Sequence, residues 1–391
     1  MTSRRAARTR GLGETVFAEM SALAVATGAI NLGQGFPDTD GPPELLEAAV
    51  DAVRHGRNQY PPGIGVPELR HAIAEHQQRH YGLTLDPDTQ VLVTTGATEG
   101  IAAALLGLLD PGDEVVALEP FYDSYAAGVQ LAGARLRGVP LDPPEFRLDL
   151  DRLADAVTDN TRLLLINSPH NPTGAVLTRD ELAGIAALAV QRDLLVLTDE
   201  VYEHLTYDGV PHLPLATLPG MAERTLSAGS AGKTFSVTGW KVGWLTGPPD
   251  LLTAARSVKQ YLTYVSGSPL QPAVAVALRT QDAWVEALRT SLQQRRDLLV
   301  DGLTDLGLAT YRPAGTYFAL SDVRSLGHDD ATTFCRELPH RAGVVAIPCA
   351  SFYSPERATA EAERALVRWT FSKQTTVLEK ALRRLAAAAP A

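Results

Sequence analysis

With 391 residues, 45% of them hydrophobic and 20% charged, the chain can bury a core too large for a single small domain. Acidic residues outnumber basic ones, giving a formal net charge of -10, and the signs are mixed along the chain, so no basic face suited to nucleic acid is expected. Two cysteines, Cys335 and Cys349, argue against a disulfide framework; no apolar run reaches membrane-span length, and the opening MTSRRAARTRGLGETVF lacks the apolar segment of a secretory signal, so a cytoplasmic protein is expected.

In chain order, the first ten or so residues are expected to be disordered. Four later segments each join a continuous apolar run to a polar or small tail. They are VLVTTGATEG from Val91, EVVALEPFYDSY from Glu114, RLLLINSPHNPTG from Arg162 and LLVLTDEVYEHL from Leu194. Such runs read as strands buried on both faces of a parallel sheet. EGIAAALLGLL, LDRLADAV and RDELAGIAALAVQRD read as helices between them, which makes the chain α/β. In such folds chemistry sits beyond the carboxyl ends of the strands, so the polar tails are the place to look. LLTAARSVKQYLTYV reads as a helix, as does the region from Ala273 to about Leu308, with a break near Asp282. After Gly307, the short strand-like pieces TYRPAGTYFALSDV, AGVVAIPCASF and ALVRWTFSK alternate with the helices ATTFCREL and TTVLEKALRRLAAAA, as in a second, smaller α+β domain.

The stretch SAGKTFSVTGWKVGW ends one phosphate-binding loop pattern but does not complete it. A P-loop needs a glycine where Ser227 stands, and the preceding PGMAERTLSAG is weak as a strand. A lysine among small residues and little water suits another task, holding a carbonyl as a Schiff base. Pyridoxal phosphate uses such a lysine. It also needs a carboxylate at its ring nitrogen, donors at its phenolic oxygen, a stacking ring and a phosphate cup. The strand tails supply each of these. Asp199 stands at a strand end. Asn171 and Tyr202 lie in neighbouring tails. Tyr122 can stack. Gly96, Ala97 and Thr98 open a helix with free amides, and Ser230, Lys241 and Tyr60 can complete the cup. Arg368 alternates with Trp369 and Phe371, so it faces the other way and can reach a cleft to hold a substrate carboxylate. Taken singly, Asp199 is as well explained as a helix cap, Asn171 as a turn residue and Arg368 as a surface ion pair. Their convergence on one cofactor is what points to a site.

Eight motifs in this order, NLGQGFPD, NQYPPGIG, TTGATEG, EPFYDSY, NSPHNPTG, TDEVYEHL, SAGKTFSVTGWKVGW and VRWTFSK, make the chain resemble a class I aminotransferase of the fold type I pyridoxal-phosphate superfamily. The resemblance implies a large domain with a mainly parallel sheet over 41–285 and a small α+β domain over 286–391. It implies an arm over 1–40 that serves the small domain and a homodimer interface. It makes Lys233 the Schiff-base and proton-carrying lysine, and Lys241 the phosphate partner. Asp199 and Tyr202 become the groups at the ring nitrogen and phenolic oxygen, with Asn171 beside that oxygen. Ala97, Thr98 and Ser230 form the phosphate cup, and Tyr60 reaches the phosphate of the neighbouring subunit. Gly35 and Arg368 lie at the substrate carboxylate. No metal is expected, nor any nucleic-acid or membrane partner; the substrates are an amino acid and a 2-oxo acid.

Within the family, NLGQGFPD, EPFYDSY and SAGKTFSVTGWK are similar to kynurenine, glutamine and methionine aminotransferases. TVFAEMSALA, GPPELLEAA and KQYLTYV resemble bacterial N-succinyldiaminopimelate aminotransferases. Phe17, Phe36, Tyr60, Tyr122, Tyr261 and Tyr264 are candidates to line a side-chain pocket, which favours an aromatic, sulfur-containing or glutamine-like donor. An N-succinyldiaminopimelate donor, and a cysteine-conjugate β-lyase activity, stand as alternatives.

Overall fold

The computed structural model describes residues 4–354, 357, 358, 360 and 364–388. Helix α1 (Val16–Thr27) starts at Thr15, whose hydroxyl accepts from the Ala18 amide, and stops at Gly28. Strand β1 (Ile30–Asn31) follows. Helices α2 (Pro43–Arg54) and α3 (Pro67–Tyr81) each open on a proline, whose missing amide hydrogen costs nothing in a first turn.

Strand and helix then alternate: β2 (Val91–Thr95), α4 (Gly96–Leu108), β3 (Glu114–Glu119), α5 (Asp123–Leu131), β4 (Arg135–Pro140), α6 (Leu150–Ala156), β5 (Thr161–Asn167), α7 (Arg179–Gln191) and β6 (Leu195–Asp199). Helix α7 is fixed by a reciprocal cap between Thr178 and Glu181. Next come β7 (Thr225–Ser230), the single turn α8 (Ala231–Thr234), β8 (Val242–Thr246) and α9 (Pro249–Leu262). Helices α10 (Leu270–Thr280) and α11 (Asp282–Asp305) are interrupted at Gln281, where the break is expected. The chain closes with β9 (Ala309–Tyr311), β10 (Phe318–Asp322), α12 (Ala331–Arg341), β11 (Val344–Val345), β12 (Ile347–Pro348), β13 (Leu366–Thr370) and α13 (Thr375–Ala388).

One sheet runs β2-β8-β7-β6-β5-β3-β4 and is parallel except for β8, which is antiparallel to both neighbours. The continuous apolar runs are its buried centre: every residue of β3, and every residue of β5 but Arg162, is buried. Three strands escape the pattern of apolar run plus polar tail. PGMAERTLSAG, weak as a strand by composition, ends in β7, where β6 and β8 supply the pairing that propensity does not. Strand β8 lies within a motif dominated by glycine and tryptophan. Strand β4 is an edge strand with half-exposed alternation. Of the first ten residues, for which disorder is expected, 1–3 lie outside the described residues. Residues Ala7–Thr9 form a 3-10 turn, and Gln130 Nε2 donates to the carbonyls of Arg8 and Arg10, at 3.1 and 2.8 Å.

A second sheet, β12-β13-β10-β9, is antiparallel, and β1 pairs with β11 in parallel. The segment after α1 is thereby tied to the carboxyl-terminal third of the chain. One continuous core joins Met20 and Leu32 to Leu299, Leu320, Val344 and Trp369 and extends to Leu164 and Val196 of the large sheet. A separate core fills the other face of the large sheet under α4 and α9, around Leu105, Val115, Leu165 and Leu245. The two sheets are therefore held against each other, with a cleft between them.

Candidate active site

The parallel strands end at one edge of the large sheet, and registers such as Asn167 beside Asp199 and Asp199 beside Ala228 keep those ends level. There they enclose a cavity of about 560 Å³. Lys233 projects into it from α8, the turn that follows β7. Its Nζ donates to the Tyr317 hydroxyl at 3.0 Å and lies 5.7 Å from the centre of the Tyr202 ring. The Tyr317 hydroxyl in turn donates to the Gly35 carbonyl at 2.6 Å.

Lys241 takes a left-handed backbone (φ 53) immediately before β8, which folds its side chain back over the start of α4. Gly96 opens that helix at φ 71, and a Cβ placed there would meet Lys241 Nζ at 3.2 Å. Gly243 is needed from the opposite side, since its Cβ would lie 2.6 Å from the Ala97 amide nitrogen. The first amides of α4 are thus held bare, with Thr98 and Ser230 beside them in the cavity wall. Burial, and then the charge of Lys233, lower the Lys241 pKa, and Glu99 opposes this.

Asp199 ends β6 inside the protein. It accepts from the Tyr125 hydroxyl at 2.5 Å and from the Val201 amide at 3.3 Å. Burial raises its pKa, while the Tyr125 bond, the amide and the Lys233 charge pull it back. Tyr202 sits in the next turn, edge-on to Tyr317 at 5.3 Å, and burial pushes its hydroxyl well up. Asn167 ties the neighbouring tails together: its amide donates to the Asp199 carbonyl at 2.7 Å, and its Oδ1 accepts from the Asn171 amide at 2.7 Å. Tyr122 precedes α5 and packs edge-on against Tyr125 at 5.8 Å; burial raises its hydroxyl to about 12.

Arg368 comes from β13 of the smaller sheet and is 1% exposed. It donates to Asn171 Oδ1 and to the Gly33 carbonyl, both at 2.9 Å, and lies 3.9 Å over the Phe318 ring. The Phe17 ring centre is 5.0 Å away. Burial lowers its pKa. Among the described residues no carboxylate pairs with it, and its Nε has no partner. A buried, unneutralised guanidinium is costly to keep unless an anion arrives to meet it.

The cavity wall contains Phe17, Gly35, Gly96, Ala97, Thr98 and Tyr122. It also contains Asn171, Asp199, Tyr202, Ser230, Lys233, Lys241 and Arg368, together with Phe36. Tyr60 stands apart: it is 86% exposed, lies outside this cavity and meets Tyr264 edge-on at 5.8 Å. Tyr261 (85% exposed) and Tyr264 are also absent from the wall, so one chain does not bring them into the pocket they are expected to line. Tyr125 and Tyr317 are two residues that sequence reasoning passes over. Tyr125 follows Tyr122 by three positions at the start of a helix, a spacing that shares one face. Tyr317 carries no local signal; it reaches Lys233 only through the packing of the two sheets.

A family model described as aminotransferase class I and II matches residues 27–385. The chain belongs to that family. It is 57% identical over 384 residues, 97% of each chain, to a protein of Mycobacterium tuberculosis described as "Probable N-succinyldiaminopimelate aminotransferase". It is 39% identical over 374 residues, 96% of each chain, to the methionine aminotransferase of Escherichia coli (strain K12). The solved structure of the N-succinyldiaminopimelate aminotransferase from Mycobacterium tuberculosis superposes with a TM-score of 0.96 at 56% identity, covering 98% of this chain and 100% of that one.

This aminotransferase has the fold type I architecture and is a pyridoxal-phosphate-dependent enzyme that acts on an amino acid and a 2-oxo acid. The donor set fits the cofactor: a buried carboxylate at one end of the cavity, bare helix amides and a lysine at another, and a second lysine between two tyrosines. Among the described residues no helix is long and apolar enough to cross a membrane.

Proposed function

We propose that this aminotransferase takes N-succinyldiaminopimelate as its amino donor or product. The observation that carries the reading is the 57% identity, over 97% of both chains, to the mycobacterial protein so described. A second reading, an aromatic or sulfur-containing donor, draws support from Phe17, Phe36, Tyr122 and Phe318 in the cavity wall and from the methionine aminotransferase relative. The cations in the cavity wall, among the described residues, are Lys233, Lys241 and Arg368, and each has a task below. A distal substrate carboxylate therefore needs a group from beyond this wall. A homodimer is accordingly part of the proposal, with Tyr60 reaching the phosphate site of the neighbouring subunit.

Pyridoxal phosphate, when bound, supplies an electron sink for the bond broken at the substrate α-carbon. The chain does the rest. Lys233 would hold the cofactor through its Nζ, and the same Nζ is placed to act as the general base for the α-proton. Asp199 keeps the ring nitrogen protonated, and Tyr125 holds that carboxylate in place. Tyr202 and Asn171 serve the phenolic oxygen, and Tyr122 stacks on the ring. Gly96, Ala97, Thr98, Ser230 and Lys241 cradle the phosphate. Arg368 grips the substrate carboxylate beside Gly35, which orients the breaking C–H bond.

A panel of donors and acceptors tests the substrate. Selective turnover of N-succinyldiaminopimelate with glutamate and 2-oxoglutarate as counterparts supports the first reading. Preference for methionine, kynurenine or glutamine replaces it with the second. Ammonia and pyruvate released from cysteine conjugates without any oxo-acid acceptor would point to β-elimination instead.

A further inference from the structure

Past the turn that carries Tyr202, a second cavity of about 250 Å³ is lined by an unusual set of side chains. His76 and His80 stand one turn apart on α3 and so face the same way. His204 meets them from the residues just after Tyr202. The Nε2 atoms of His76 and His204 are 2.8 Å apart, and the three ring centres are separated by 4.5, 4.9 and 5.0 Å. One ring nitrogen from each histidine falls within 4.8 Å of the others. Asp282 Oδ1 lies 3.5 Å from His80 Nε2. Glu203 lines the same cavity, almost fully buried, with Tyr81 and Gln77 as its side-chain neighbours.

From this geometry we propose that His76, His80 and His204 bind one zinc-class divalent ion, which clamps α3 to the turn that carries Tyr202. Three imidazoles with a carboxylate or water in the fourth position suit a borderline metal such as zinc, not magnesium or calcium, which want oxygen. Tetrahedral zinc separates its nitrogen ligands by about 3.4 Å, given bonds of about 2.0–2.1 Å. The His76–His204 contact must therefore open slightly while His80, on the exposed end of the cluster, swings in. The 2.8 Å contact between the two Nε2 atoms is a hydrogen bond in which one imidazole donates and the other accepts, so one ring already presents its lone pair there and only one ring of that pair has to change tautomer. Glu203 and Asp282 place acceptors around the cluster to balance the metal's charge.

The test uses the full-length holoenzyme, stripped with a chelator and dialysed against zinc chloride. One zinc per chain is expected, with affinity falling at least tenfold in His80→Ala and in His204→Ala, and unchanged in His71→Ala, an exposed histidine elsewhere on α3. Zinc should raise the melting temperature of the wild type and of His71→Ala but not of His80→Ala. Because His80 is exposed, its variant is expected to fold, and its circular dichroism and bound cofactor check this. Absence of zinc uptake by the wild type, or uptake that His80→Ala leaves intact, overturns the proposal.

Discussion

The Tyr125 hydroxyl donates to Asp199 Oδ2 across 2.5 Å, with both side chains buried at the carboxyl edge of the large sheet. The bond opposes the rise that burial imposes on the Asp199 pKa. In Tyr125→Phe that opposition is lost, the carboxyl becomes harder to ionise, and its pairing with a protonated ring weakens. Cofactor affinity is expected to drop roughly tenfold, the value of one hydrogen bond to a charged group. Equilibrium dialysis of pyridoxal phosphate measures it, and an unchanged affinity would remove Tyr125 from the site's support.

The two lysines of SAGKTFSVTGWKVGW should separate by role. Lys233→Ala is expected to abolish turnover and to lose the covalent cofactor mass that borohydride reduction fixes in the wild type. Lys241→Ala should keep that mass at saturating cofactor and mainly weaken retention on gel filtration. The reverse pattern would exchange the assignments.

Arg368→Lys preserves the charge but not the planar fork that now bonds Asn171 and Gly33. KM for both donor and acceptor should rise by roughly 100-fold, the worth of a bidentate charge-assisted pair, with a smaller fall in kcat. Steady-state kinetics on both half-reactions distinguish this from a loss confined to kcat, which would place the carboxylate elsewhere.

Gly243→Ala puts a Cβ 2.6 Å from the Ala97 amide nitrogen, against backbone that has nowhere to move. A cost of about 1–3 kcal/mol in stability is expected from overpacking, with looser cofactor retention because the α4 amides shift. Thermal melts with and without added cofactor give both quantities; a variant as stable and as well loaded as the wild type would contradict the crowded cradle.

His170 is fully buried next to Asn171, and burial lowers its pKa from 6.5 to about 3, against a smaller opposing bond from the Pro120 backbone. Between those values the unfolded chain binds the proton and the folded one does not, so stability is lost as the pH falls through this window. His170→Gln should flatten the acid limb of a stability–pH curve from urea melts, by a few kcal/mol at most. The comparison is of slopes, since the variant also loses the contact with Thr173 at 2.8 Å. Equal slopes would mean that His170 contributes nothing to the acid limb.

Much of the fold is legible in the amino-acid sequence because its strands are local signals. Runs such as RLLLIN and LLVLT are apolar along most of their length, and Asn171, Asp199 and Tyr202 follow them within a few residues, so position in the chain already places them at the active edge. The strands that escape are those whose identity depends on neighbours. Thr225–Ser230 is a strand because β6 and β8 flank it, and β4 because β3 leaves an edge open.

The same division runs through the cavity. Local pattern suffices to put the carboxylate and the opening of α4 at the cavity, since each sits at the end of an apolar run that its own residues specify; the lysine stands out by its motif, although the strand before it depends on its neighbours. The contacts of Tyr317 with Lys233, of Arg368 with Asn171 and of His76 with His204 join residues 84, 197 and 128 positions apart. No periodicity in the chain encodes such distances; they arise when apolar faces of separate elements pack and carry their polar edges together. Tyr60 marks the far limit, since its motif announces a role that the packing of one chain does not fulfil.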